Sequence, residues 1–451
     1  MPRYLLLLFF LMPIYWAYLL LNTQPFMVFD AIGYEESGRF ILKHGLGAYF
    51  QTLNREPLFP YLVSRAMNLS QLFGVPYYYF LKAILFIFLT VTLVGIYRLA
   101  RLLGVGRTVS GLGAFYAGVS PVILNSMLWL WSEGAALPWA VWGVFFFVKL
   151  WRSAVKCDFR RLVLFSVLSA FMFIVLLTVK AVAGVAGVLY GLPLLLVGVV
   201  YLIRREYYRA GAFVVSGVIF LGVFSSAVEG YKALNYKMNG NYELTTRFHW
   251  ALYGNTVRRL QPLNYNRLMQ AVLSVPRLGF CEKFYSQEAC LFWSYQTSDA
   301  ISEEANRYAI KQGFSDDKQR RFMTYGSFKL MAEHPMQQFL LSIVEGTKMF
   351  FWENRQCFVT YPAWMDKLYA DAWPMFTYYL LWAGLSIAAM VYAFRRGSFD
   401  FVLTAVFMCC FIIAHSVFYI DIRYALPIAP LFIVLIAGMF QGSLKDRKVS
   451  V

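Results

Sequence analysis

The chain reads as an all-α polytopic membrane protein, a bundle of about ten transmembrane helices with an extracytoplasmic helical segment placed before the last three. Three observations predict this. Of the 451 residues, 60% are hydrophobic and only 14% charged, against about 25% charged in a soluble domain. Apolar runs long enough to cross a bilayer, about 17–25 residues, recur at 4–21, 77–97, 109–128, 135–151, 162–179, 182–202, 210–228, 375–394, 399–419 and 426–442. The short connections on one side are consistently basic, as the positive-inside rule requires.

Taken in order, the first run lies within Pro2–Asn22 and is longer than a signal-peptide core, with no small-residue cleavage site after it. It therefore reads as an uncleaved span. Runs 109–128 and 135–151 form a hairpin joined through Trp131-Ser132-Glu133. With both termini cytoplasmic, the inner segments hold 17 basic side chains against four acidic ones. The net charge of +17 then mostly reports topology, which makes the lipid bilayer the implied partner and leaves nucleic acid unneeded.

Residues 1–228 form an N-terminal module of about seven spans, with a first outer loop at 23–76. An extracytoplasmic and interfacial segment follows at 229–373, and 374–451 hold about three spans and a cytoplasmic tail. The first loop predicts helices near 30–44 and 57–73; the larger segment predicts helices near 299–312, 316–332 and 335–351. Asp299 and Asp316 stand as N-caps, and 335–351 is apolar enough to lie against the membrane surface.

Six cysteines are present. Cys281 and Cys290, with eight residues between them in the outer segment, are candidates for a disulfide in an oxidising compartment, although spacing alone does not fix a pairing. Cys357 is also outside, Cys157 is inside, and Cys409-Cys410 fall within a span. No CxxC or HxxxH spacing supports a zinc site, and the histidines at 44, 249, 334 and 415 read as structural.

Charged residues gather at the outer membrane surface: Asp30, Glu35 and Glu36 after the first span, Arg55-Glu56 further along that loop, Glu133 and Lys180 in apolar hairpins, and Asp421-Ile422-Arg423-Tyr424 before the last span. A single charge in an apolar hairpin is costly and commonly functional. Arginine and lysine hold phosphate, and a carboxylate takes a proton from a hydroxyl nucleophile as general base. This combination suits sugar transfer from a lipid phosphate. Glu35 and Glu36 read as solvated helix-face residues.

Four stretches carry a resemblance to a known superfamily: Phe29-Asp30-Ala31-Ile32-Gly33-Tyr34, Arg55-Glu56-Pro57-Leu58-Phe59-Pro60, Trp131-Ser132-Glu133 and Arg423-Tyr424-Ala425-Leu426-Pro427-Ile428-Ala429-Pro430. Leu252-Tyr253-Gly254-Asn255 and Glu333-His334-Pro335 add weaker likenesses. In this order they resemble the polytopic GT-C glycosyltransferases, in the branch of dolichyl-phosphate-mannose–protein mannosyltransferases and the bacterial lipid A aminoarabinose transferase. Three positions depart from that branch: Ala31 where an acidic residue is common, Glu56 where proline is usual, and Lys180 where arginine is common.

The resemblance implies an inverting transfer from a polyprenyl-phosphate sugar donor to an extracytoplasmic glycan, lipid or protein, in a bacterial inner membrane. Asp30 becomes the general base, its proton affinity expected to rise through reduced solvation. Arg55, Lys180 and Arg423 become donor-phosphate ligands, with Arg258 and Arg259 in second line. Tyr34, Glu56, Glu133 and Tyr424 become substrate-binding residues. No cofactor is required by the sequence; a divalent cation, if used, would take Asp30 with Glu133. Two alternatives stay open: a glycan ligase or polymerase using a polyprenyl-pyrophosphate carrier, which Arg247, Arg258 and Arg259 would serve, and a lipid or sugar transporter.

Overall fold

A computed structural model describes the chain apart from residues 1–2, 29, 53–54, 246, 276–278, 354–358, 364–371, 396, 419–421 and 450–451. Phe29, Cys357 and Asp421, named above, thus lie outside the described residues. Helix dominates, as expected. The first half runs α1 (Arg3–Asn22), α2 (Asp30–Tyr49), α3 (Leu58–Phe73), α4 (Tyr77–Leu102), α5 (Arg107–Val119), α6 (Pro121–Leu128), α7 (Glu133–Val155), α8 (Phe159–Leu177), α9 (Ala183–Ile203) and α10 (Tyr207–Asn239). The polar segment holds α11 (Phe248–Arg258), α12 (Tyr265–Leu273), α13 (Gln287–Leu291), α14 (Tyr295–Lys311), α15 (Asp316–Glu333) and α16 (Pro335–Thr347). The chain closes with α17 (Ala372–Arg395), α18 (Phe399–Phe418) and α19 (Ala429–Val449), preceded by a 3-10 turn at Ile422–Ile428. The described strands are two-residue pieces, β1 (Gln24–Pro25) paired antiparallel with β2 (Val359–Thr360).

Among the described residues eight helices are long and apolar enough to cross a membrane, so the chain is a polytopic helical membrane protein. Each remaining expected run also falls on helix. The 4–21 run is α1, and 109–128 is a bent pair, α5 and α6 meeting at 48°. The bend has a local cause. Pro121 cannot donate to the α5 ladder, so the helix stops and restarts. Ser120 caps the restart, its Oγ accepting from the Ile123 amide at 3.3 Å, with Pro121 in the first turn where its missing N–H costs nothing.

The core surrounds α7. Ala135, Ala136, Leu137, Ala140, Val141, Val144, Phe147 and Val148 are fully enclosed, because small residues let α4 and α8 approach closely. Phe173, Tyr190, Phe220 and Phe407 fill the space between α7, α8, α9, α10 and α18 with edge-on and tilted ring contacts.

Several expectations shift. The 210–228 run is part of a 33-residue helix continuing to Asn239, so residue 229 lies inside α10. The 30–44 helix extends to Tyr49 through a kink at Gly45, whose φ of 84° glycine tolerates. Asp299 is inside α14, not at its cap, and Ser294 occupies that place. Ser315, not Asp316, caps α15, its Oγ accepting from the Lys318 amide. Serine suits the extended cap backbone, while Asp316 and Asp317 in the first turn of α15 still complement the helix dipole.

Candidate active site

Asp30 opens α2 at one end of the bundle. Arg55 Nη2 donates to its Oδ1 at 2.8 Å, and Arg423 Nη2 donates to its Oδ2 at 2.9 Å. Arg247, from the start of the polar segment, lies 3.5 Å from Oδ1. Beside this group Lys180 Nζ donates to Glu133 Oε1 at 2.7 Å, and Arg423 Nε stands 4.0 Å from the same oxygen. Arg423 thereby joins both carboxylates into one charge network.

Packing aims each member. The Arg55 guanidinium lies over the Tyr34 ring at 4.6 Å, and Tyr34 donates its hydroxyl proton to Ser132 Oγ at 2.9 Å. Arg423 lies over the Trp131 ring at 3.9 Å. These are cation–π contacts in a partly desolvated setting, where they strengthen. Gly33 makes room on α2: a Cβ there would meet Arg55 Nη2 at 3.1 Å. Tyr424 stacks on His415 at 4.9 Å and offers its ring to Lys180 Nζ at 5.3 Å.

Lys82 ties α4 to the C-terminal end of α1, seven residues before Asp30. Its buried ammonium donates to the Thr23 carbonyl at 2.6 Å and to Thr23 Oγ1 at 3.1 Å, at the carbonyl-rich end of α1 where a cation is favoured.

Glu56 braces the site from behind. Its Oε1 accepts from the Ala181 amide at 3.0 Å, while the Leu58 amide donates to the Thr178 carbonyl at 3.1 Å. The first loop is thus zipped to the α8–α9 turn carrying Lys180. A carboxylate in place of proline here has a backbone donor to satisfy it.

Among the expected site residues, Asp30, Tyr34, Arg55, Glu56, Glu133, Lys180, Arg423 and Tyr424 come together. Arg258 and Arg259 do not join them. Both guanidinium groups pair with the buried Glu345 of α16, Arg259 also donating to Ser342 Oγ at 2.8 Å and to the Ser416 carbonyl at 2.5 Å. The Gly254 of the weaker motif serves the same packing unit, since a Cβ there would fall on the Ser298 carbonyl of α14. These arginines hold the polar segment together and are committed to that work.

The expected rise in Asp30 proton affinity is also reversed. Burial alone would raise its pKa, but Arg423 and Arg55 overcome it and hold the carboxyl well below the ordinary range. Two charge-assisted hydrogen bonds to the ionised form outweigh partial desolvation.

Glu35, left as a solvated residue, pairs with Arg39 one turn on at 2.6 Å. Cys281 and Cys290 form a disulfide. Trp131, Ser132, His415 and Lys82 were not singled out as site residues by sequence, and Arg247 was named only for the pyrophosphate-carrier alternative. Trp131-Ser132 adjoin Glu133, and that adjacency was the available signal; Lys82 and His415 sit in apolar runs whose partners are distant in sequence.

The donor set does not suit a resident divalent cation. Asp30 and Glu133 are separated by the Arg423 guanidinium, and Lys180 already neutralises Glu133. A metal between them would face fixed positive charge on several sides. Among the described residues no group of three or more His, Cys, Asp or Glu is arranged to hold a metal. What the arrangement can do is hold an anion: two guanidinium groups and an ammonium converge, backed by aromatic faces.

Comparisons with protein-family models, curated proteins and solved structures return no match to this chain.

Proposed function

We propose that the protein is a GT-C-type membrane glycosyltransferase that moves a sugar from a polyprenyl-phosphate donor to a hydroxyl of an extracytoplasmic glycan, lipid or protein. The observation that carries this is the clamping of Asp30 between Arg55 and Arg423, with the Lys180–Glu133 pair beside it, at one end of a bundle of apolar helices. A lipid-borne phosphate reaches such an end from within the bilayer. The Cys281–Cys290 disulfide supports an oxidising compartment on that side, in agreement with the basic loops of the opposite side.

In this reading the donor phosphate binds Arg55, Arg423 and Lys180. The acceptor oxygen forms a bond to the anomeric carbon as the carbon–phosphate oxygen bond breaks, and the phosphate leaves with the electron pair. The arginines stabilise the charge that grows on it. Asp30 takes the acceptor's hydroxyl proton. Its basicity is coupled to the donor: a phosphate that draws Arg55 and Arg423 towards itself removes the charges that depress Asp30, so the base strengthens only when a donor is present.

The test supplies purified protein with a radiolabelled polyprenyl-phosphate sugar and membrane acceptors. Transfer with release of polyprenyl monophosphate is expected, and a folded Asp30→Asn variant should lose it. Full transfer by that variant would remove Asp30 from the reaction. Release of polyprenyl pyrophosphate would favour whole-glycan transfer instead.

A further inference from the structure

Away from the charge network and from Glu345, the α5–α6 break holds another buried carboxyl. Glu353 follows the 3-10 turn Lys348–Phe351 and is 1% exposed. Ser120 Oγ lies 3.0 and 2.9 Å from its two oxygens, and the Tyr378 hydroxyl donates to it at 3.0 Å. Tyr378 and Tyr116 hydroxyls lie 2.6 Å apart, and the Val122 amide of α6 also donates to the carboxyl. Among the described residues no basic side chain pairs with it, so the groups facing it are hydroxyls from α5 and α17 and the amide end of α6.

The wall behind it is rigid. Trp352, its chain neighbour, is buried, donates to Ser386 Oγ of α17 at 3.0 Å and stacks parallel to Phe432 of α19 at 6.2 Å. Glu353 is therefore a fixed point, and the broken span hangs from it.

The other end of α6 is the active-site turn. Eight residues after the break, the helix leads into Trp129–Ser132 and then Glu133. Residues Val122–Leu128 are all buried, so the segment moves as a body or not at all. Gly134 lies so close to α6 that a Cβ would strike the Ser126 carbonyl. A shift of α6 would displace Trp131 from Arg423, Ser132 from Tyr34 and Glu133 from Lys180 together.

We propose that Glu353 is a positioning residue for the sugar-transfer site: it pins the α5–α6 break and, through α6, sets the place of Trp131, Ser132 and Glu133. The inference takes the reaction from the proposed function, but the mechanical link stands on geometry alone. Burial pushes the Glu353 carboxyl up to about 7, against the lowering effect of its hydrogen bonds. Opening that wets the carboxyl is thus opposed at low pH, and this resistance fades as pH rises through about 7.

Hydrogen exchange of the peptide 121–132 in the full-length protein tests the link without any substrate. Glu353→Ala should speed exchange there about tenfold, and Tyr378→Phe should speed it less while leaving the fold intact. Relative to Glu353→Gln, which keeps an acceptor but cannot titrate, the wild type should lose at least about fivefold protection between pH 5 and 8. Where transfer is measurable, its rate should fall above about pH 7 in the wild type and not in Glu353→Gln. Exchange at 121–132 unchanged by Glu353→Ala and Tyr378→Phe, or loosening spread evenly over the bundle, would overturn the proposal. Failure to transfer sugar, with the exchange effects present, would count against the proposed reaction and not against the pin.

Discussion

Arg423 and Asp30 stand 393 positions apart in the chain and 2.9 Å apart in space. With Arg55 on the other oxygen, the contact makes Asp30 both the neutraliser of two arginines and the candidate base. Replacing Asp30 by asparagine should therefore separate two quantities. Transfer should fall at least about 100-fold, the usual scale for losing a general base. Affinity for polyprenyl phosphate should hold or improve, because the arginines no longer share themselves with a carboxylate. Titration calorimetry or equilibrium binding in detergent checks the second point, and a loss of binding parallel to activity would contradict it.

Lysine should not replace either arginine at the site. Arg55 spans Tyr34 and Asp30, and Arg423 spans Trp131, Asp30 and the edge of Glu133. A point charge on a flexible stem reproduces neither the stacking nor the fork. Arg423→Lys should weaken polyprenyl-phosphate binding by about tenfold, or about 1.4 kcal/mol, with helix content unchanged by circular dichroism.

The Glu345 cluster predicts a stability profile. Burial would raise the Glu345 pKa, yet Arg258 and Arg259 hold it at about 2. Its contribution should be intact above about pH 4.5 and lost as pH falls towards 2. Lys348 is pushed down to about 8 by burial and the same arginines. Between about pH 8 and 10.5 the unfolded chain binds more protons there, so stability should rise with pH in that window. Glu345→Gln should cost about 3–5 kcal/mol by leaving two arginines buried without compensation. Lys348→Met should raise the midpoint of thermal unfolding at pH 7 and do so less at pH 10. Thermal scans across pH in one detergent check all four.

Two glycines should behave differently when changed to alanine. At Gly33 the new methyl would meet the Arg55 guanidinium tip at 3.1 Å, a flexible side chain that can yield. Gly33→Ala should fold and bind polyprenyl phosphate less tightly. At Gly254 the methyl would meet the backbone carbonyl of Ser298, which cannot yield without parting α11 from α14. Gly254→Ala should lower thermal stability by about 1–3 kcal/mol, with the Asp30 cluster affected only secondarily.

Much of the fold was legible because membrane spans announce themselves in composition: each of the ten runs falls on helix, and the pair 58–73 and 316–333 match the expected helices closely. The break at Ser120-Pro121 was hidden inside a run whose hydropathy is continuous, although the dipeptide itself is a cap and a stop. At the site, Glu133 and Lys180 were visible as single charges in apolar hairpins, and Asp30 and Arg55 through the stretches that carry the family resemblance. Arg55 and Arg423, named first for the phosphate, do join Asp30, and the second-line arginines do not. Arg258 and Arg259 carry the same local signal as Arg55, and only the distant Glu345 decides that they serve structure instead. Electrostatic sign was equally illegible: desolvation could be guessed from membrane position, but one neutralising arginine comes from 25 residues further along the same loop and the other from the far end of the chain, and their effect is larger.

The scattered origin of the cluster has a consequence for biosynthesis. Asp30 and Arg55 leave the ribosome early, while Arg423 follows 393 residues after Asp30, an interval of about 20–80 s at ordinary elongation rates of about 5–20 residues per second. For that time the newborn N-terminal helices sit in the bilayer with the carboxylate short of a partner. A chain that stalls before its last helix therefore lacks Arg423, and Asp30 keeps Arg55 while its second oxygen goes without that guanidinium.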